Sequence, residues 1–568
     1  MRSLLPLSLL IFIFGFSSSS YANTLPFIVR TTNPFASSNL ASRAFTSQPA
    51  NNNTIPVSDV AIPLSNTHNA EYIANITLGG RTIPVLIDTG SSDLWVTGTV
   101  PNTKDTLKAT SLNYAVGTAA GDINQADLEF AGYKVSQQAY LLVQNTSTFN
   151  MDIKSQGFEG LIGLGPNSGS AILDEIDKDW ANSVLTNIFS QNTTTQNYLT
   201  VMLDRLEDPG NIISGQLTIS KVVPGFENIT DMPKLAVDEV HKLTDLDQHW
   251  QTYTDVDGII GPDGQPIKVK SIVPSAPKGR LVVVLDTGYT LPQVPRALAD
   301  AIYGRVQGAQ YNEHSGVWTV PCGQEVNLTF KFGGIEYPIH PLDTSSSDFN
   351  MVDATGTPVC VGTFQPITSA FSLLGEYDII LGMAFMRNVY SLFDYGDWLE
   401  NSKVKKGDPY IQLLSVTDKA AAHADFVKVR LGGVDTTGDA AHQLLPADQG
   451  KSSPVPAGEK KKLSLTFRPF RYQEKVLSRW PYILLGCLIF VILMIILIVW
   501  KCCQARKRRI ARKKAKAAKM GIETPAKPNL TVYNQVDASS STVHLKTMGS
   551  SYQYDDDPYS LSPHKERV

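Results

Sequence analysis

The chain has 568 residues, 42% of them hydrophobic and 18% charged, with a formal net charge of −4. That length exceeds one simple domain, and the composition is that of a globular protein rather than a fibrous or low-complexity one. The charge is uneven: residues 501–568 hold 14 Lys/Arg against 6 Asp/Glu, leaving 35 against 47 for the rest. So acidic a body argues against nucleic acid as a partner.

In chain order, Met1-Arg2 precedes an uncharged run over residues 4–16, and Ser20-Tyr21-Ala22 offers small residues for cleavage. Residues 1–22 therefore read as a signal peptide, with an apolar core too short to span a bilayer. Residues 23–60 are rich in Ser, Asn, Thr and Pro without a period, and read as a pro-segment or leader. From about residue 61 to 416, short alternating or β-branched runs recur between Gly, Asn, Asp and Pro clusters. Strands are predicted over 72–78, 82–87, 198–203, 216–219, 281–285 and 327–332, with few helices, one of them over 296–305.

Residues 417–479 lose that alternation and read as a stalk. Residues 482–500 are 19 uncharged positions, which at ~1.5 Å per residue nearly span a ~30 Å hydrocarbon core. Trp480, Tyr482 and Trp500 sit where interfacial aromatics belong, so the transmembrane helix is drawn over 480–500. Residues 501–519 carry ten Lys/Arg and no acid, which marks that flank as cytoplasmic. The tail, 501–568, is polar and reads as disordered. The expected topology is single-pass type I, at the cell surface or in an endomembrane or vacuolar compartment.

Glycosylation sequons fall at Asn52, Asn75, Asn145, Asn192, Asn228 and Asn327, all before the membrane run. Of five cysteines, Cys322 and Cys360 lie in the outer body and can form one disulfide in an oxidising compartment.

Two stretches carry the chemistry. Val85-Leu86-Ile87-Asp88-Thr89-Gly90-Ser91-Ser92 and Val283-Val284-Leu285-Asp286-Thr287-Gly288-Tyr289-Thr290 are each an apolar run ending in Asp-Thr-Gly. Such a duplication can bring two carboxylates to one site. The apolar run buries a strand that ends on the Asp, and the Gly permits a sharp turn and close approach. Two carboxylates a few ångströms apart share one proton. The ionised one can then activate water while the neutral one donates to a carbonyl oxygen.

Asp88 to Val96, read as Asp-Thr-Gly-Ser-Ser-Asp-Leu-Trp-Val, resembles the first active-site motif of pepsin-like aspartic endopeptidases. Tyr114 to Gly121 resembles their flap. Phe158 to Gly165, and Ile380-Leu381-Gly382, resemble the apolar–Gly stretches behind each Asp. His249-Trp250-Gln251 stands where the family has an aromatic–Trp–Gln run, and Cys322 and Cys360 match the spacing of its second-lobe disulfide. The resemblance covers roughly residues 60–416.

It implies a mostly β, bilobal fold with the cleft between two pseudo-twofold-related lobes, 61–222 and 223–416. It also implies an aspartic endopeptidase, made as a zymogen, that acts on extended polypeptide segments as a monomer without cofactor or metal. By the same resemblance Asp88 and Asp286 are the catalytic pair, and Ser91 keeps Asp88 ionised. Thr89 and Thr287 cross-link the loops, supported by Gly90 and Gly288. Tyr114 lies over substrate with its hydroxyl held by the Trp95 indole, and Thr118 contacts the substrate backbone. The rival reading is a catalytically silent pepsin-like surface or binding protein. Tyr289 is a departure, standing where relatives often carry a small hydroxyl residue. Its ring is expected to deny Asp286 a hydrogen bond, favour the protonated form, and let Tyr289→Thr move the acid limb of the pH–rate profile.

Overall fold

The computed structural model describes residues 61–455, apart from short internal segments, and scattered positions between 488 and 516. The signal peptide, the leader, Asn52, the flap-tip residues Ala115-Val116 and most of 480–568 lie outside the described residues. The chain divides into two compact units, Met1–Arg471 and Tyr472–Val568. Described positions of the second unit, among them Leu493, Leu497 and Trp500, are helical. Among the described residues no helix is long and apolar enough to cross a membrane.

The first unit is mostly β. Its first lobe is an eight-stranded sheet in the order Ser65–Thr67, Glu71–Leu78, Arg81–Asp88, Gly160–Gly163, Leu94–Thr97, Tyr133–Val143, Gly117–Phe130, Lys104–Tyr114. Glu71–Leu78 also pairs with Gly117–Phe130, so the sheet folds back on itself. The second lobe has a five-stranded sheet in the order Gln251–Tyr253, Val282–Leu285, Ile379–Leu381, Gln293–Val294, Gln365–Pro366. Smaller sheets of three and four strands complete it.

One pattern repeats in both lobes. Arg81–Asp88 runs parallel to Gly160–Gly163, which lies antiparallel to Leu94–Thr97. Val282–Leu285 runs parallel to Ile379–Leu381, which lies antiparallel to Gln293–Val294. Each Asp-bearing strand is thus flanked by an apolar strand, and its own apolar residues explain why. Ile83, Val85 and Ile87 alternate into the core, while Val282 to Leu285 are buried on both faces.

A six-stranded antiparallel sheet joins the lobes. Ile62–Pro63, Gln216–Ile219 and Tyr198–Met202 come from the first half, and Val389–Asp394, Tyr410–Ser415 and Leu235–Ala236 from the second. The halves meet where Leu199 faces Phe393 and Thr200 faces Leu392. Apolar side chains from both lobes form one continuous core.

The body does not stop at residue 416. Asp418 caps the helix Lys419–Arg430, accepting from Ala420 and Ala421 N–H, and Ala422, Phe426 and Val427 are buried. Leu445 exchanges hydrogen bonds with Arg305, and Ser453 binds Asp300. The stalk expected from 417 is therefore corrected: residues 417–455 are folded onto the second lobe. The alternating pattern ends there because this segment packs through a helix and loops rather than through strands.

Candidate active site

Asp88 ends its strand, opposite Gly163. Asp286 follows the strand Val282–Leu285, and its N–H donates to Leu381 O at 3.0 Å. The two turns are cross-linked. Thr89 Oγ1 donates to Leu285 O and accepts from Thr287 N–H, both at 3.0 Å. Thr287 Oγ1 donates to Ile87 O at 3.0 Å and accepts from Thr89 N–H at 3.1 Å. Both threonines are fully buried.

The glycines allow the approach. A Cβ on Gly90 would collide with the Asp286 carboxylate, and one on Gly288 with that of Asp88. The two carboxyl groups therefore face one another across the turns.

Their neighbours differ. Asp88 accepts from Gly90 N–H at 2.8 Å and from Ser91 Oγ at 2.5 Å. Asp286 accepts from Gly288 N–H at 2.7 Å. Tyr289 holds the position that Ser91 has in the first turn; its carbonyl accepts from Met383 N–H at 2.8 Å. Burial, and then the charge of Asp88, push the Asp286 carboxyl well above the usual carboxylate range, against the N–H groups of Gly288 and Gly90. Asp286 is thus the member of the pair whose neutral form is favoured.

The flap is the hairpin of Lys104–Tyr114 and Gly117–Phe130, with Tyr114 opposite Gly117 beside its tip. Tyr114 and Trp95 meet at 6.4 Å between ring centroids, tilted by 50°. Burial pushes the Tyr114 hydroxyl up, and the Ser91 hydroxyl and the Trp95 indole, the partner the resemblance implies, act the other way, although neither Trp95 Nε1 nor Tyr114 Oη makes a hydrogen bond of ordinary geometry. The Trp95 ring is also stacked on Phe149 at 5.5 Å. Thr118 Oγ1 donates to Asn113 Oδ1 across the hairpin at 3.0 Å.

Further groups pack near the two turns: His249 and Trp250 belong to the run noted in the sequence, whereas Tyr395 and Glu71 were not singled out from it. His249 Nδ1 lies 3.0 Å from Gly90 O, in the first catalytic turn. Trp250 Nε1 and Tyr395 Oη both donate to Leu164 O, just past Gly163. Glu71 has a buried carboxyl oxygen without a partner, and burial pushes its pKa up to about 7.

Asp343 is buried between two guanidinium groups, those of Arg205 and Arg387. Burial pushes its carboxyl up, yet Arg205 and Arg387 outweigh that and hold it at about 2. Arg205 comes from the first half and Arg387 also donates to Asn69 O, so this cluster ties the halves together. Its members lie far apart in sequence, and the four-residue helix Pro341–Thr344 that carries Asp343 is too short for a periodic signal to mark it.

Cys322 and Cys360 form a disulfide in the second lobe. Of the sequons, Asn75, Asn145, Asn192, Asn228 and Asn327 are exposed.

Comparison with known proteins agrees with this geometry. The chain is 27% identical over 399 residues to the major aspartyl peptidase 1 of Cryptococcus neoformans, covering 63% of this chain and 73% of that one. It is 25% identical over 348 residues to a probable aspartic-type endopeptidase CTSD of Trichophyton verrucosum, covering 58% of this chain and 60% of the relative. It is 23% identical over 357 residues to vacuolar protease A of Neurospora crassa, covering 59% and 78%. The pattern of the eukaryotic aspartyl protease family matches residues 99–404, more than half of the chain. That match begins past Asp88 and includes Asp286. With two Asp-Thr-Gly turns cross-linked through their threonines and a core shared by both lobes, the chain belongs to the eukaryotic aspartyl protease family.

Proposed function

We propose that the protein is a membrane-tethered aspartic endopeptidase whose catalytic body lies on the extracytoplasmic side. The observation that carries the catalytic reading is the cross-linked pair of turns, which leaves Asp88 and Asp286 face to face. In the proposed reaction Asp88 is ionised and takes a proton from water, and the oxygen attacks the peptide carbonyl. Asp286, which retains its proton, donates it to the carbonyl oxygen. Collapse of the tetrahedral species returns a proton to the leaving nitrogen and breaks the C–N bond. No covalent enzyme intermediate forms.

Burial serves this step, since the pair stays unequal only while water does not screen one carboxyl from the other. The substrate is an extended polypeptide segment, because strand edges beside the cleft grip a strand-like backbone through main-chain hydrogen bonds. The tether rests on the uncharged run at 482–500 and the ten Lys/Arg that follow it in 501–519. The exposed sequons suit the same topology.

The test is peptide hydrolysis by the full chain in membranes across pH 3–7. Asp88→Asn and Asp286→Asn are each expected to lower kcat at least ~10³-fold, and a statine-type inhibitor should abolish cleavage. Hydrolysis that survives either substitution sinks the mechanism. A folded chain that binds peptides and never cleaves them would favour the silent, binding-protein reading.

A further inference from the structure

A cavity of about 40 Å³ lies where three parts of the chain meet, lined in part by Thr290, four residues past Asp286. Arg205 comes from the first half, Thr290 and Arg387 from the second lobe, and Arg430 from the segment after residue 416. We infer that this cavity is a subsite for an acidic side chain of the bound peptide, completed by Arg430. The inference rests on the peptidase reading above.

Position comes first. Thr290 is four residues beyond Asp286, so at ~3.6 Å per residue it lies within about 14 Å of it. An extended peptide advances about 3.3 Å per residue. A side chain about three to five positions from the scissile bond can therefore reach the cavity.

Charge comes second. The lining holds the guanidinium groups of Arg205, Arg387 and Arg430 against the carboxylates of Asp343 and Asp348. Asp343 is shared by Arg205 and Arg387, one negative charge between two positive ones. Asp348 accepts from Ser346 Oγ at 2.9 Å and from the Asn69 amide at 3.4 Å. Among the described lining residues three guanidinium groups stand against two carboxylates, and a guanidinium fork matches a carboxylate in shape.

Size agrees. The volume is well under the ~150 Å³ that holds a benzene ring, and Thr290, Ser346 and Thr363 are among the residues that line it. A small polar group fits and an aromatic ring does not.

Arg430 is also held in place before any ligand arrives. It donates to Ser345 O at 3.3 Å and to Cys360 Sγ at 3.2 Å, at the end of a helix anchored by fully buried Phe426. Such preorganisation lowers the ordering cost of binding.

The experiment uses the full chain and one peptide frame with Glu or Gln at successive positions on either side of the scissile bond. At pH 5.5 Glu is ionised, its ordinary pKa being ~4.3. At one position kcat/KM for Glu should exceed that for Gln about 10-fold, the size of one charge-assisted hydrogen bond. The ratio should approach unity below pH 4. In Arg430→Gln it should fall to about 2 or less at pH 5.5, and Arg430→Lys should retain part of it. Each ratio is taken within one preparation, so loss of folded enzyme cancels. Cleavage without any preference for Glu, or a preference that Arg430→Gln leaves intact, overturns the subsite. Failure to cleave any peptide overturns the peptidase reading, and the subsite with it.

Discussion

Asp88 and Asp286 carry the same tripeptide but not the same neighbours. Ser91 gives Asp88 a hydroxyl donor at 2.5 Å, while Tyr289 stands at that position in the second turn. The structure moves the expected effect of Tyr289 from one limb of the pH profile to the other. Asp286 is the member whose carboxyl is raised, by burial and by the charge of Asp88. Loss of its proton therefore ends activity on the alkaline side. Tyr289→Thr adds a donor to the ionised form, which lowers that group's pKa. The alkaline limb of kcat/KM should move to lower pH with the acid limb less affected. An unchanged alkaline limb would show that the hydroxyl never reaches Asp286.

At the scale of elements, the recurring unit is a strand that delivers a carboxylate and a parallel neighbour that supports it. Arg81–Asp88 with Gly160–Gly163 and Val282–Leu285 with Ile379–Leu381 are the two copies. The helix Lys419–Arg430 has no counterpart in that duplication, yet it is part of the body. Its Phe426 is fully buried, so Phe426→Ala should cost about 3–5 kcal/mol of stability, cavity included. Urea unfolding of the full chain would measure it. A loss under about 1 kcal/mol would mean that the segment is only loosely applied.

At the scale of the whole molecule, the lobes share one core, and the Arg205–Asp343–Arg387 cluster adds a polar tie between them. The folded pKa of Asp343, about 2, lies below the ~3.9 of an unfolded Asp. Its stabilisation is therefore fully present above about pH 4 and is lost as pH falls through about 2. The tie thus survives in the acid range where a carboxylate dyad works. Asp343→Asn leaves two buried guanidinium groups facing a neutral amide and should cost about 3–5 kcal/mol. A Tm equal to that of the parent at pH 5 would refute this account.

Much of this was legible in the residues. Alternation in 82–87 and the apolar run in 281–285 give strands because side-chain period two is imposed locally, and the observed Arg81–Asp88 and Val282–Leu285 match them closely. The paired Asp-Thr-Gly turns give the dyad because only glycine lets the turns approach so closely. Other features depend on contacts between distant residues, and no local pattern encodes those. The folding-back of 417–455 is one, since a short helix anchored by Phe426 has the same composition as a stalk until its partners are present. The stacking of Trp95 on Phe149 is another, because 54 residues separate the two rings. The third is the meeting of Arg205, Arg387 and Arg430, three charges brought from separate parts of the chain that become one electrostatic feature only when the lobes close on a common core.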